Sequence, residues 1–404
     1  MANERLQAAL IDSGRPLDEV ARRVGVHPKT INRWVDGRRP HRRYQYALGN
    51  LLGADPAVLW PEPGAAVPNV PPGEVLPAPG EEMAQIGARL ERLARSNVDA
   101  ATFRHLGLSL EEISAAYERD GGAAVYQLVR QQRHWIEHLL EEQQRPRDRI
   151  ELHAAAGKLS AVLGYLAFDL GHRTLADAYL TEAFSLAEAA VERDLMAWVR
   201  GLQSFVAYYA GRYHDALEYA RDGQVHAGGG PQGVRLAVAG EARALGCLGD
   251  AYAVAEAVER ALGARERHPG GPPVGEFLSM EPLGVGRIHG NAASAYLALG
   301  DSARVQRHAE RALEVFSGNA SAASEALTAV DLAVSHLSGR GADPEAAAAA
   351  IRRALDAGAG LQSDVVAARL HHFVVISRRW AGPELVETVE AVEEWRRRAV
   401  PPAR

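Results

Sequence analysis

Apolar residues recur at helical spacing along most of the chain, and glycine or proline repeatedly interrupts them. In the first 60 residues the interruptions lie close together and predict short helices. Asn3 can cap the first helix, and Gly14 and Gly25 can end the first and the second. The predicted helices cover residues 3–13, 17–24, 28–36, 41–52 and 55–60.

Residues 61–80 break this pattern, because half of them are proline or glycine. Such a segment favours an extended, semi-stiff spacer over a helix or a strand. We therefore predict a domain at residues 1–60, a linker at 61–80 and a second domain at 81–404. Almost every segment of the second domain has a helical pattern, so the expected fold class of the whole chain is all-α.

Four segments of the second domain share one arrangement, in which a glycine separates two helices. A small residue seven positions before each glycine would let two antiparallel helices approach closely. The glycines are Gly171, Gly211, Gly249 and Gly300, and the small residues are Gly164, Ser204, Ala242 and Ala293. We expect a weaker copy over 323–357, a last helical pair after it, and a loop rich in proline and glycine at 263–284.

The first copy carries Gly171, Ala176, Leu180 and Ala183, and this pattern resembles the tetratricopeptide repeat. The later copies depart from the pattern, and their spacing exceeds the usual period of about 34 residues. The resemblance implies an α-solenoid built from degenerate tetratricopeptide-like helical hairpins.

Charge is distributed unevenly between the two predicted domains. The chain has a net charge of −6, yet its first 60 residues contain ten Lys and Arg against six Asp and Glu. A basic segment on an acidic body indicates that only this first segment meets a polyanion.

The third predicted helix separates apolar from polar side chains. Ile31 and Trp34 fall on one side, whereas Lys29, Asn32 and Arg33 fall on the other, with Thr30 at the margin. Lys and Arg can donate to guanine, Asn can pair with adenine, and a Thr methyl group can contact thymine. Base reading is therefore predicted for Lys29, Thr30, Asn32 and Arg33.

Residues 3–60 resemble the Xre/Cro-repressor-like helix-turn-helix family, with Gly25 at the turn between the two motif helices. The resemblance implies that helix 28–35 enters the major groove of double-stranded DNA. Phosphate contacts are then expected from Arg22, Arg23, Arg38, Arg39, Arg42 and Arg43. The order of a basic head, a linker and a helical repeat body resembles bacterial one-component transcription regulators, which implies a cytoplasmic homodimer. A helical-repeat protein adaptor is the alternative.

The repeat pattern also predicts residues for an inner groove in the second domain. Counting back from each turn glycine gives aromatic and cationic residues that suit an acidic peptide or small-molecule effector. These residues are Lys158, Tyr165, Phe168, Trp198, Phe205, Tyr208, Arg243 and Arg287. Packing of the same aromatic residues between repeats fits the sequence equally well.

No motif in the chain predicts an enzyme, a cofactor or a metal. The segment 134–138, "HWIEH", matches a zinc-peptidase pattern, but no third ligand accompanies it. Cys247 is the only cysteine, so a disulfide framework within the chain is excluded and a reducing compartment is expected. No run of apolar residues reaches the length that a membrane-spanning helix needs.

Overall fold

The computed structural model describes residues 2–61, 79–120, 122–268, 280, 283–316, 322–338, 341–361, 363–380 and 382–399. All regular structure in these ranges is helical and none of it is strand, so the predicted all-α class is confirmed. The chain divides into an N-terminal unit, Met1–Gly87, and a C-terminal unit, Ala88–Arg404. No helix in the described ranges is long and apolar enough to cross a membrane.

The N-terminal unit is a group of short helices around one apolar core. The predicted starts and ends agree with the structure to within one or two residues. The helices are α1 (Glu4–Asp12), α2 (Leu17–Val24), α3 (Pro28–Val35), α4 (Arg42–Leu52) and α5 (Pro56–Leu59). Asn3 Oδ1 accepts a hydrogen bond from the Leu6 N–H at 3.0 Å, as expected of a capping residue.

Residues 62–78 of the predicted linker lie outside the described residues. The next helix, α6 (Pro79–Ala94), begins two residues earlier than predicted and contains the division between the two units. A proline can occupy the first turn of a helix, because the N–H that it lacks would have no partner there.

The C-terminal unit continues as a succession of helices with short connections. They are α7 (Ala100–Asp120), α8 (Gly122–Glu141), α9 (Pro146–Asp169), α10 (Arg173–Ala189), α11 (Arg193–Tyr209), α12 (Tyr213–Ala227), α13 (Gln232–Arg235), a π-helix (Leu236–Ala242), α14 (Arg243–Leu248), α15 (Ala251–Arg267), α16 (Val285–Ala298), α17 (Ser302–Phe316), α18 (Ala322–His336), α19 (Pro344–Ala357), α20 (Asp364–Ser377) and α21 (Pro383–Ala399).

Neighbouring helices pack in pairs, and the predicted glycines form the turns. Helices α9 and α10, α11 and α12, and α16 and α17 pack against one another. Gly171 and Gly211 have φ angles of 83° and 76°, which favour glycine. The predicted close approach is also present, because a Cβ atom on Gly164 would lie 2.8 Å from Leu180 Cγ.

The third predicted copy differs from the others. Its first helix is interrupted by the π-helix, for which the sequence pattern contains no signal. Gly240 of this π-helix packs tightly, since a Cβ atom there would lie 2.7 Å from Ala220 Cβ. The loop predicted at 263–284 starts later than expected, because α15 continues to Arg267. Residues 269–279 and 281–282 of that loop lie outside the described residues.

Candidate nucleic-acid interface and candidate ligand cavity

The turn between α2 and α3 depends on glycine and a capped helix start. Gly25 has a φ angle of 75°, and the Val26 N–H donates to the Ala21 carbonyl at 2.9 Å. His27 Nδ1 then accepts from the Lys29 N–H at 3.2 Å, and Pro28 occupies the first turn of α3. These contacts set where α3 begins relative to α2.

The two sides of α3 have the burial that its sequence predicts. Ile31 and Trp34 are 0% and 5% exposed and pack with Val20 of α2. Lys29, Asn32 and Arg33 are exposed, and Thr30 is half-buried between the two sides. The division into an apolar and a polar face is confirmed, and base reading by the polar face stays a prediction.

Two further contacts hold α3 within the N-terminal unit. The Asn3 N–H donates to the Val35 carbonyl at 2.6 Å, which attaches the end of α3 to the start of α1. The rings of Trp34 and Tyr44 have centroids 5.5 Å apart, which attaches α3 to α4. The exposed face of α3 is therefore carried on a helix fixed on its buried side.

The arginines predicted to contact phosphate are all exposed, but they differ in their contacts. Arg39 donates to the carbonyls of Trp60 and Pro61 at 2.8 and 3.4 Å. Arg23 pairs with Glu19 at 3.1 Å, and the Arg43 guanidinium lies 4.4 Å from the centre of the Tyr44 ring. The described residues provide no hydrogen bond or ion pair for the side chains of the others, Arg22, Arg38 and Arg42.

Tyr46 of α4 is a candidate interface residue that the sequence reasoning missed. Its ring is exposed, and it follows Arg42 by four residues, so both side chains lie on one face of α4. The i to i+4 spacing from Arg42 was the signal that could have identified it.

A cavity in the C-terminal unit is lined by buried arginines. Arg235, Arg243 and Arg287 are 7%, 4% and 5% exposed, and all three line it. The cavity volume is about 80 Å³, and the space continues outwards towards solvent. The other described lining residues are Gly201, Leu202, Phe205, Tyr209, Ala239, Leu283, Gly290, Asn291, Ser294, Phe316, Ser324, Leu327 and Thr328.

Aromatic rings surround the Arg243 guanidinium. Its central carbon lies 3.9 Å from the centre of the Tyr208 ring and 4.8 Å from that of Tyr209. Such contacts stabilise a cation without neutralising its charge. Burial raises the pKa of the Tyr208 hydroxyl, against the opposing influence of Arg243 and Arg369.

A buried ion pair lies behind these rings. Arg369 Nη1 is 3.1 Å from Asp331 Oδ1. Burial by itself would lower the pKa of Arg369, but Asp331 holds it above its usual range. Ser294 of the cavity wall donates to the other oxygen of Asp331. The Asp331 carboxylate is therefore already engaged by Arg369 and Ser294.

The predicted groove residues lie in different surroundings. Phe205, Arg243 and Arg287 line the cavity, and Tyr208 contacts Arg243. Tyr165 and Phe168 are buried against Phe205, with ring centroids 5.8 and 5.5 Å away. For Tyr165 and Phe168 the structure therefore agrees with the packing interpretation. Trp198 is 1% exposed and Lys158 half-buried, and neither is among the described lining residues of the cavity.

Arg235 and Arg369 are the cations that the sequence reasoning missed at this site. Arg235, Ala239 and Arg243 are spaced four residues apart, which puts them on one side of a helix. That spacing was a usable signal for Arg235. Arg369 had none, because it lies 126 residues beyond Arg243 in the sequence.

The histidine pair of the zinc-peptidase pattern lies on the surface of α8. His134 Nε2 and His138 Nε2 are 3.1 Å apart, and Glu137 Oε2 is 3.3 Å from His134 Nδ1. Within the described ranges, no group of three or more His, Cys, Asp or Glu could hold a metal ion.

Known proteins provide no independent identification of either site. No protein-family model matches the chain, and no curated protein matches it.

Proposed function

We propose that the chain is a sequence-specific DNA-binding transcription regulator of the Xre/Cro-repressor-like helix-turn-helix type. The observation that supports this proposal is the exposed face of α3. Lys29, Asn32 and Arg33 share that face, while Ile31 and Trp34 bury the opposite one. Helix α3 also follows α2 through a tight glycine turn, as the second helix of such a motif does.

The exposed residues of α3 have the chemistry that base recognition needs. In the major groove, Arg33 and Lys29 would donate to guanine O6 and N7, and Asn32 would pair with adenine N6 and N7. A short helix with these groups in its first two turns can present them together at the base edges. Each such pair discriminates against a wrong base by about 1–3 kcal/mol.

Phosphate contacts would come from the arginines around this face. Arg22, Arg38 and Arg42 are exposed, and their side chains have no hydrogen bond or ion pair with described residues, so their guanidinium groups are available to phosphate. Arg23 and Arg43 would exchange or extend their present contacts. Arg39 instead connects two parts of the N-terminal unit through its bonds to Trp60 and Pro61.

The regulator would act as a homodimer in the cytoplasm, because a two-fold operator presents the same half-site twice. The C-terminal unit would be a tetratricopeptide-like α-solenoid that binds an effector or a protein partner. Effector binding would change operator affinity, and operator binding would change effector affinity by the same factor.

Selection from a random duplex DNA library tests the base-reading proposal. It is run in parallel on the wild type and on an Asn32→Ala/Arg33→Ala variant. Both positions are exposed, so we expect the variant to fold normally. The wild type should enrich one motif, and the variant should lose about 2–4 kcal/mol of binding free energy for it.

The control variant is Gln7→Ala, which removes an exposed amide from α1 and should leave the motif unchanged. Equal enrichment by wild type and the Asn32→Ala/Arg33→Ala variant would contradict base reading by α3. A folded wild-type protein that enriches no motif would favour the protein-adaptor alternative.

A further inference from the structure

The cavity of the C-terminal unit combines buried positive charge with a described wall that contains no Asp or Glu. Three arginines line it, and none of its described lining residues is Asp or Glu. Each of these arginines is at least nine-tenths buried. Moving a guanidinium out of water is costly unless an anion or several acceptors replace the water.

Arg243 has donors that no described residue satisfies. Its Nη1 makes one long hydrogen bond to Asn291 Oδ1, at 3.4 Å. Its Nε and Nη2 are buried and have no hydrogen-bond partner among the described residues. A guanidinium with two unused N–H donors side by side can bind a carboxylate or a phosphate in a bidentate manner.

Two buried acids of the C-terminal unit, Asp331 and Glu241, already have other partners. Asp331 pairs with Arg369, as described above. Glu241 of the π-helix is paired with Arg221 and Arg260 outside the cavity. Neither carboxylate is among the described lining residues, whereas the rings of Tyr208 and Tyr209 lie against the Arg243 guanidinium.

The rest of the wall is suited to a small apolar body. Leu202, Phe205, Leu283, Phe316 and Leu327 supply most of the apolar surface. Ser324, Thr328 and Asn291 add a few polar groups that can fix an orientation. A volume of about 80 Å³ has room for about three water molecules, so the enclosed part of a ligand must be small.

We propose that this cavity binds a small anionic molecule, a carboxylate or phosphate group on an apolar body, with Arg243 as its principal anchor. Arg235 and Arg287 line the same space. As an assignment of the effector, the inference rests on the proposed function. As an assignment of a binding site, it can be tested without DNA.

Binding of matched anionic and neutral probes to the full-length protein tests the proposal. The anions are benzoate, hexanoate and phenyl phosphate, and their neutral counterparts are benzamide, hexanamide and phenol. Titrations by saturation-transfer NMR and calorimetry are made near pH 7.5, where the three anions are charged. At least one anion should bind about tenfold or more tightly than its counterpart. The preference among the three distinguishes a carboxylate ligand from a phosphate ligand.

The Arg243→Gln variant should weaken binding of that anion by about tenfold or more. Its thermal midpoint should equal or exceed that of the wild type, because a buried charge without an anion is removed. The control is Arg221→Gln, which removes an exposed arginine paired with Glu241 outside the cavity. This control should bind the anion as the wild type does.

Three outcomes would overturn the proposal: no anion bound more tightly than its neutral counterpart, equal anion binding by Arg243→Gln and wild type, or equal weakening by Arg221→Gln. None of these outcomes depends on DNA. A protein that selects no DNA motif yet binds the anion through Arg243 would lose the proposed function and keep the binding site. If the protein selects a DNA motif but binds no anion, the proposed function would stand and the binding site would be rejected.

Discussion

The two units of this protein use positive charge in opposite ways. In the N-terminal unit, the cations of α3 and its surroundings are exposed to solvent, and the helix beneath them is fixed by Ile31 and Trp34. In the C-terminal unit, Arg235, Arg243 and Arg287 are buried around a small cavity. Exposed cations suit a large polyanion such as DNA, whose condensed counterions are released on binding. Buried cations suit one small anion that displaces water from the cavity.

The largest expected difference between the two sites is in how their ligand affinities change with salt concentration. DNA affinity should fall by about 500-fold or more between about 50 and 200 mM salt, because about five phosphate contacts in each protomer release counterions. Affinity of the C-terminal unit for the bound anionic probe should change by less than about threefold, since a buried pair is screened much less than an exposed one. Fluorescence anisotropy with the selected duplex and calorimetry with the probe measure the two slopes.

Two results would contradict this difference in salt dependence between DNA binding and anion binding. A shallow salt slope for DNA would mean that the exposed arginines do not meet phosphate. A steep slope for the probe would place the anion on the surface instead of beside Arg243. The Gln7→Ala variant, which changes no charge, should show the wild-type slope for both ligands.

The sequence predicted the two sites to different extents for a physical reason. The helix bounds and the two faces of α3 follow from local signals, namely caps, the Gly25 turn and helical periodicity. The cavity depends on side chains brought together from distant helices, such as Phe205, Arg243 and Arg287. Periodicity gave these residues as candidates but could not separate them from Trp198 and Tyr165, whose burial is a property of helix packing.

The position of α16, which carries Arg287 and Asn291, offers a second test of the cavity. A Cβ atom on Gly246 of α14 would collide with the Ala295 backbone carbonyl of α16. Gly246→Ala should therefore shift α16, cost about 1–3 kcal/mol of stability and weaken anion binding. The affinity of the Gly246→Ala variant for the selected DNA motif should weaken far less. Chemical denaturation and probe titration measure these effects.

Gly107→Ala in α7 is the matched control, because a Cβ atom there meets nothing within 4 Å. It should stabilise the protein by about 0.5–1 kcal/mol, as alanine is the better helix former. If both substitutions have the same effect on stability, close packing of α14 on α16 does not position the cavity wall.

A buried acid of the C-terminal unit gives a pH-dependent test. Burial raises the pKa of Asp169 from 3.8 to about 6, partly offset by a hydrogen bond from Ser363 Oγ at 2.7 Å. The folded state thus holds this proton more tightly than the unfolded chain, so stability from this group is present at low pH. It is lost as the pH rises through about 4 to 6.

The Asp169→Asn variant keeps an oxygen for Ser363 but has no charge to bury. It should be more stable than the wild type by about 1–3 kcal/mol near pH 7.5, and almost equal to it near pH 4. Urea denaturation at the two pH values measures the difference. A gain for Asp169→Asn of the same size at both pH values would contradict the raised pKa.

The smallest expected effects distinguish two exposed arginines of the N-terminal unit, Arg39 and Arg42. Arg39→Gln removes the bonds to the Trp60 and Pro61 carbonyls and should destabilise the N-terminal unit by about 1 kcal/mol. Arg42→Gln should change stability by less than about 0.5 kcal/mol, yet reduce the salt slope of DNA binding by about one. Denaturation and anisotropy on both variants measure the two quantities. We expect this difference because a guanidinium that is bonded to backbone carbonyls is not available to DNA. The reverse result would make Arg39 the phosphate contact and Arg42 the structural residue.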